Sequence, residues 1–327
     1  GVVERDLVVF TDSNMPLEAA TAVLTDAGHA VLRLELRDEA EVAAAATGAA
    51  ALIVQWAHVG EAAFAALPTC RFVSRLGIGY DMVDVAAADR YGVAVANVPD
   101  YCIEEVASHT VALILSGVRD VQALDASVRA GRFAPALDAP LTRRPSATRV
   151  VVVGFGRIGR RVAASLAALG FSIIICDPFV EAPVVEAAGY LPLAIEDALD
   201  LADIVTLHLP LTAENHHLID GPALARLPRH AYLVNTCRGG LIDELALARA
   251  LGDGSLGGAG LDVFETEPLP ADHPLRQTPN VVLTPHAAWY SPQSLEELPI
   301  RAAQNVVDFL AGRAVASIVN PGYRPAE

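Results

Sequence analysis

The sequence contains no lysine; all 23 basic residues are arginines. A pyridoxal Schiff base, a phosphate-loop lysine and a lysine general base are therefore excluded, as are amino-acid dehydrogenases that depend on a catalytic lysine. Basic charge is scarce altogether, with 39 acidic residues against 23 basic ones and a net charge of −16. Neutralising phosphates needs a basic surface, so no nucleic-acid partner is expected. No apolar run reaches the roughly 18 residues of a membrane span. Glu4, Arg5 and Asp6 interrupt any apolar opening, so no signal peptide is expected either. The four cysteines (Cys70, Cys102, Cys176 and Cys237) show no paired spacing, which reads as structural thiols in a reducing cytoplasm.

What the chain does have is length and apolar content. Its 327 residues, 53% hydrophobic, allow two domains with sizeable cores. Strands are expected at residues 7–11, 30–36, 51–55, 72–76 and 93–98, with helices at 17–27, 39–48 and 61–67 between them. Such alternation means βαβ units and a parallel sheet. A long helix from 103 to 115, continuing toward 132, connects to a second region, and 135–146, with three prolines, reads as a loop. Further strands follow at 171–176, 204–208, 232–235, 259–263 and 281–283. Helices are expected at 160–169, at 195–199 and at 294–310, the last returning to the first domain, and 186–189 reads as the end of a further helix.

The second region is organised around Val150-Val151-Val152-Val153-Gly154-Phe155-Gly156-Arg157-Ile158-Gly159. Four valines suit a central parallel strand buried on both faces. The G-x-G-x-x-G turn then supplies a tight turn, close backbone approach to a pyrophosphate and close helix–strand packing, with the helix N-terminus facing the phosphate. Asp177 lies about 20 residues on, at the next strand's end, placed for the ribose hydroxyls. It would repel a 2′-phosphate, and Pro178, Phe179 and Val180 add no basic residue, so NAD is expected rather than NADP. Leu209, Pro210, Leu211 and Thr212 lie past a later strand's carboxyl end, where ligands of doubly wound sheets sit.

Arg238, Glu267 and His286 each follow a strand, so folding brings them to one rim of the sheet. Reducing a ketone needs a proton for the oxygen, which histidine can give. A carboxylate favours the protonated ring and orients it, and an arginine can hold a substrate carboxylate. In the first domain, Gly77-Ile78-Gly79 offers backbone N–H groups to an anion, with Arg75 just before. An ordinary tight turn and a surface ion pair are the alternatives there. His216 and His217 are adjacent, so on a strand or helix they point apart, and no metal site is expected.

These motifs resemble the D-isomer-specific 2-hydroxyacid dehydrogenases over nearly the whole chain. Residues 234–239 (VNTCRG), 261–268 (LDVFETEP) and 284–289 (TPHAAW) look like that family's arginine, glutamate and histidine motifs. The resemblance implies that Arg238 binds substrate, His286 is the acid/base and Glu267 supports it. It implies that Arg75, Gly77, Ile78, Gly79 and Trp289 contact substrate. It also implies a cofactor set of Gly154, Gly156, Arg157, Ile158, Gly159, Asp177, Leu209, Pro210, Thr212, Asn215, Thr236, Cys237, Arg238, Asp262, His286 and Thr110. The runs at 75–81, 215–217 and 286–291 are similar to the C-terminal-binding-protein branch, in which Trp289 would wall the pocket and favour an apolar or thioether side chain. The lead-in 146–149 (SATR) departs from the family by lacking a glycine, which should affect a loop and not the chemistry. With Glu327 as its last residue, the sequence is not expected to carry the regulatory domain of many phosphoglycerate dehydrogenases.

The expected architecture is α/β with two domains. A doubly wound Rossmann domain (99–289) is inserted into a smaller flavodoxin-like substrate domain (1–98 plus 290–327). The expected reaction is reversible NADH-dependent reduction of a 2-keto acid by a cytoplasmic homodimer, with closure between domains excluding water. The alternatives are an NAD(H)-sensing interaction protein with vestigial activity, or a relative acting on a phosphonate, phosphite or formate.

Overall fold

The computed structural model describes residues 5–133, 143–320 and 322–323. It divides into two compact units, Gly1–Tyr101 with Tyr290–Glu327, and Cys102–Trp289.

The first unit holds β1 (Leu7–Phe10), α1 (Glu18–Asp26), β2 (Ala30–Arg33), α2 (Glu39–Ala45), β3 (Ala49–Val54), α3 (Glu61–Ala66), β4 (Phe72–Arg75), α4 (Val85–Arg90) and β5 (Ala94–Ala96). Its five strands are parallel in the order β2-β1-β3-β4-β5, the flavodoxin-like order. β3 is buried along its whole length, as a strand covered on both faces must be. Helix α12 (Pro292–Leu310), whose Ser291 and Ser294 form a reciprocal capping box, packs on α1 and β4. Phe309 stacks on Phe72 at 4.4 Å, and Ser74 Oγ donates to the Ala302 carbonyl.

The second unit holds α5 (Ile103–Arg119), α6 (Val121–Arg129), β6 (Arg149–Val153), α7 (Arg157–Ala168), β7 (Ser172–Cys176), α8 (Ala182–Ala187), β8 (Leu191–Pro192), α9 (Ile195–Leu199), β9 (Ile204–Leu207), α10 (Gly221–Arg226), β10 (Tyr232–Asn235), α11 (Glu244–Gly252), β11 (Gly258–Leu261) and, preceding α12 in the chain, β12 (Val281–Leu283). Seven parallel strands run in the order β12-β11-β10-β9-β6-β7-β8. Renumbered from β6, this is the doubly wound order 3-2-1-4-5-6 with one strand added. The order reverses between β6 and β9, and ligands of such sheets bind beyond the carboxyl ends at that point.

Two differences from the sequence reading have physical causes. The helix expected to run from 103 toward 132 breaks at Asp120, whose φ of +50° is left-handed and separates α5 from α6. Neither glycine nor proline marks the break, and aspartate tolerates that conformation better than most residues. Helices α4, α10 and α11 are short and begin at Asp84, Asp220 and Asp243, each of which caps an N–H three residues on. Of the loop expected at 135–146, residues 135–142 lie outside the described residues.

Candidate active site

The glycine turn uses its three glycines in three ways. Gly154 has φ +98°, and a side chain there would overlap the carbonyl of His208, the residue after β9. A side chain at Gly159 would overlap the Gly154 carbonyl, so Gly159 lets α7 sit against the end of β6. Gly156 is exposed and has nothing within 4 Å of where a Cβ would project, which leaves the approach open to a pyrophosphate. Helix α7 begins at Arg157 with no side-chain cap and no acid in its first turn, so its positive end is left for an anion. Arg157 is exposed and Ile158 half-buried. Asp177, just past β7, accepts the Phe155 N–H at 2.8 Å and the Phe179 N–H at 2.9 Å. Those two bonds fix its carboxylate beside the turn.

Beyond β9, Leu209 is half-buried and Pro210 exposed. Asn215 folds this loop: its Oδ1 accepts the Thr212 N–H at 2.7 Å and its Nδ2 donates to the Pro210 carbonyl at 2.7 Å. Past β10, the hydroxyls of Thr236 and Thr110 are 2.8 Å apart, and both residues are buried. They hold α5 to the strand end. The Cys237 thiol donates to the Leu207 carbonyl at 3.0 Å, and burial raises its pKa, with the Leu209 and Arg238 N–H groups and the Arg238 charge opposing in part.

Arg238 follows. Its guanidinium donates to the Cys237 carbonyl, and its own carbonyl is held by Asn235 Nδ2 at 2.8 Å. The next residue decides how close its neighbours come. A side chain on Gly239 would overlap the backbone of Phe264 and Glu265, so only glycine lets the loop after β11 lie against the loop after β10. That loop carries Glu267, whose Oε1 accepts the Phe264 N–H at 3.0 Å. Glu267 Oε2 lies 2.7 Å from His286 Nδ1. Burial alone would raise the Glu267 carboxyl, but the His286 hydrogen bond and charge, the Phe264 N–H and the Arg238 charge outweigh it. The group is held below the usual carboxylate range. All three members of the expected trio therefore meet at one edge of one sheet.

Asp262 sits at the end of β11 and serves the histidine loop from beneath. Its Oδ1 accepts from the Thr284 hydroxyl at 2.6 Å and the Ala287 N–H at 2.8 Å, and its Oδ2 accepts the Ala288 N–H at 3.0 Å. His286 itself has φ +52° and donates its N–H to the Asp262 carbonyl. Trp289 Nε1 donates to the His286 carbonyl at 2.8 Å. The histidine is thus fixed by its backbone on both sides before its ring meets Glu267.

In the first unit, Gly77 has φ +148°, and the Arg75 guanidinium folds back over it to reach the Leu76 carbonyl. Arg75 is buried, 4.8 Å above the Trp56 ring centroid. The Gly77 and Ile78 carbonyls accept from the Val98 N–H and Asn97 Nδ2. Among the described residues none accepts the N–H of Ile78 or Gly79, and both are half-exposed.

The family model for the NAD-binding domain of D-isomer specific 2-hydroxyacid dehydrogenases matches residues 111–288. The chain belongs to that family. D-3-phosphoglycerate dehydrogenase of Mycobacterium leprae is 39% identical over 291 residues, 86% of this chain and 53% of the relative. The chain thus spans about half the length of the curated relatives it matches. Among solved structures, an Aquifex aeolicus D-lactate dehydrogenase complexed with NAD and lactic acid is 28% identical, with TM-score 0.83, over 93% of this chain and 96% of that one. An NADPH-dependent glyoxylate/hydroxypyruvate reductase of Sinorhizobium meliloti, in complex with NADP and malonate, is 28% identical with TM-score 0.87, over 99% and 100%.

The sequence reading missed residues of this candidate site that act from behind. Glu244, at the start of α11, accepts the Glu265 N–H at 2.6 Å and pairs with His273 Nε2 at 3.1 Å. It thereby ties down the loop that holds Glu267. Burial raises Glu244 to about 7; the Glu265 N–H opposes, and the Glu265 and Glu267 charges reinforce. His109, on α5, lies 3.0 Å from the Thr284 hydroxyl. An acid just after the Asp243 cap looks like an ordinary first-turn helix residue, so nothing local distinguishes it.

Proposed function

We propose that this chain catalyses reversible NAD-dependent interconversion of a 2-keto acid and its D-2-hydroxy acid. The observation that carries the reading is the His286–Glu267 hydrogen bond at the carboxyl edge of a sheet whose glycine turn fits a dinucleotide. When bound, the nicotinamide supplies hydride transfer to or from the substrate carbon. Gly154, Gly156, Arg157, Ile158 and Gly159 receive its pyrophosphate and Asp177 its ribose. Thr110, Leu209, Pro210, Thr212, Asn215, Thr236, Cys237, Arg238, Asp262 and His286 line the rest of its path. An ionised carboxylate only accepts hydrogen bonds, so Glu267, held low, requires the proton of His286 on Nδ1. Nε2 is then the atom that exchanges a proton with the substrate oxygen. Reduction uses the protonated ring and oxidation the neutral one. Arg238 receives the substrate carboxylate and polarises the carbonyl. In the first unit, the open N–H groups of Ile78 and Gly79, with Arg75 and Gly77, are the groups proposed to receive a carboxylate.

NAD is preferred over NADP in this reading because Asp177 is fixed beside the turn with Pro178, Phe179 and Val180 after it. The likeness to the C-terminal-binding-protein branch rests on the runs named above, while the relatives reported carry other names. It enters only as an expectation that Trp289 selects an apolar or thioether side chain. A homodimer is proposed because α6 buries none of its residues and leaves Val121 and Val128 exposed; sedimentation returning only monomer would remove that part. A cytoplasmic location is supported by four free cysteines, and recovery of the protein from a non-cytoplasmic fraction would count against it.

The test is a steady-state panel of keto acids with NADH and NADPH. Wild type should turn over at least one acid and prefer NADH, and His286→Ala and Arg238→Ala should each lose roughly 100-fold or more. Full turnover by both variants would overturn the roles. NADH binding without any turnover would favour the dinucleotide sensor instead.

A further inference from the structure

The adjacent pair His216-His217 lies outside the machinery described above, in the loop between β9 and α10. On a strand or helix the two side chains would diverge, but here they do not. His217 adopts φ +53°, and the two rings stack with centroids 3.9 Å apart and planes 24° from parallel. A non-glycine residue in the left-handed region carries a conformational cost, and such outliers cluster where a function holds them. The turn is held from several sides. The His217 N–H donates to the Gly240 carbonyl at 2.8 Å, and Asn215 braces the preceding residues through Thr212 and Pro210. Gly240 also has no side chain to displace the His216 ring, which lies 3.5 Å from where its Cβ would be.

Facing the rings is Glu265, hydrogen-bonded to His217 Nε2. An ion pair would account for His217 and Glu265, but it gives no role to His216. Among the described residues His216 makes no hydrogen bond, and it is exposed. One ligand atom each from His216, His217 and Glu265 lie within 4.8 Å of one another. Tetrahedral zinc with bonds of about 2.0–2.2 Å needs ligand atoms about 3.4 Å apart, which small rotations of accessible side chains supply. Two imidazoles and a carboxylate are the donor set of a borderline dication such as Zn²⁺, with water completing the shell.

We propose that His216, His217 and Glu265 form a binding site for a divalent transition-metal ion of the zinc class. The ion takes the place of the proton shared by His217 and Glu265, so binding releases protons and weakens as pH falls. It also has a structural consequence. Glu265 lies two residues before Glu267, and His216-His217 directly follow the loop formed by Leu209, Pro210, Thr212 and Asn215. An occupied site therefore clips that loop to the one that holds Glu267, independently of the reaction proposed for the chain.

Tag-free protein titrated with Co²⁺ at pH 7.5 tests this, read by the visible absorption of the ion and by calorimetry with Zn²⁺. Expected are one ion per chain, a raised unfolding temperature with Zn²⁺, and at least tenfold weaker binding at pH 5.5. His216→Ala, His217→Ala and Glu265→Gln should each weaken binding tenfold or more, and His58→Ala, in the other unit, should not. Glu265→Gln keeps a hydrogen-bond partner for His217, so its loss of metal cannot be put down to a loosened loop. Absence of binding, or binding indifferent to all three substitutions, overturns the proposal.

Discussion

Tyr232 is the bulkiest of the fully enclosed side chains, and three glycines make room for it. A Cβ on Gly117 of α5 would overlap its ring, one on Gly258 would meet the ring at 2.9 Å, and one on Gly260 would lie 3.0 Å from its hydroxyl. The aromatic side chain thus sets how closely α5 approaches β10 and β11. Its hydroxyl has no hydrogen-bond partner among the described residues, and burial, reinforced by Asp120, raises its pKa so that it stays neutral. Deleting an unpaired buried hydroxyl while keeping the ring removes a desolvation cost of about 1 kcal/mol or more without opening a large cavity. Tyr232→Phe should therefore leave the urea midpoint unchanged or raise it. A marked drop would mean that the hydroxyl has a partner.

At the scale of elements, the site is made by two loops that touch, and Gly239 is the residue that lets them. Its neighbour Arg238 was legible as an arginine after a strand, but the reason for the glycine was not. The overlap it avoids is with Phe264 and Glu265, some 25 positions away in sequence. Gly239→Ala should push the second loop away, stretching the Glu267–His286 bond and separating Arg238 from Glu267. Overpacking of this kind costs roughly 1–3 kcal/mol, and kcat should fall more than tenfold with cofactor affinity less affected. A variant with wild-type kcat would show that the loops need not touch. Gly240→Ala is the contrast, since its neighbours are the side-chain ends of Leu211 and His216, which can give way.

At the scale of the whole molecule, titrating groups pull stability in opposite directions. Burial would raise Asp203, but the Arg149 N–H, His230 and Arg143 hold it low, and Glu267 is likewise held low. Their contributions are complete above about pH 4, where unfolded carboxylates are ionised, and are lost as pH falls through the lower folded values. Burial pushes His208 down to about 3. The unfolded chain takes up that proton below about pH 6.5, so stability falls from there toward acid. Glu244 works the other way. With a folded value of about 7, it keeps a proton that the unfolded chain releases above about 4.5, so its contribution is lost as pH rises between the two. The urea midpoint should accordingly be nearly flat between about pH 5 and 6.5 and fall steeply below about pH 4. In Glu244→Gln only the His208 slope remains, and the midpoint should climb across that window. A wild-type midpoint that climbs there as steeply as the variant's would refute the opposition.

Local patterns sufficed for what local forces decide. Short β-branched runs separated by helical stretches mark the strands; β10 and β12 match their expected bounds residue for residue. The glycine turn with Asp177, and the trio Arg238, Glu267 and His286, were equally legible, because each motif is contiguous and each strand end faces the same edge of a parallel sheet. The missing lysines closed off rival chemistries without any structure. Only the tertiary structure decided how the site is held. Glu244 reaches the Glu265 N–H, Gly239 admits Phe264, Asp262 braces Ala287 and Ala288, and three glycines seat Tyr232. Those contacts join positions from about 20 to more than 100 residues apart, and no periodicity encodes which strands become neighbours. The two histidines at 216 and 217 show the same limit at short range. Adjacent side chains diverge in any regular element, and it took one left-handed residue, stabilised by Gly240 from another loop, to bring them together.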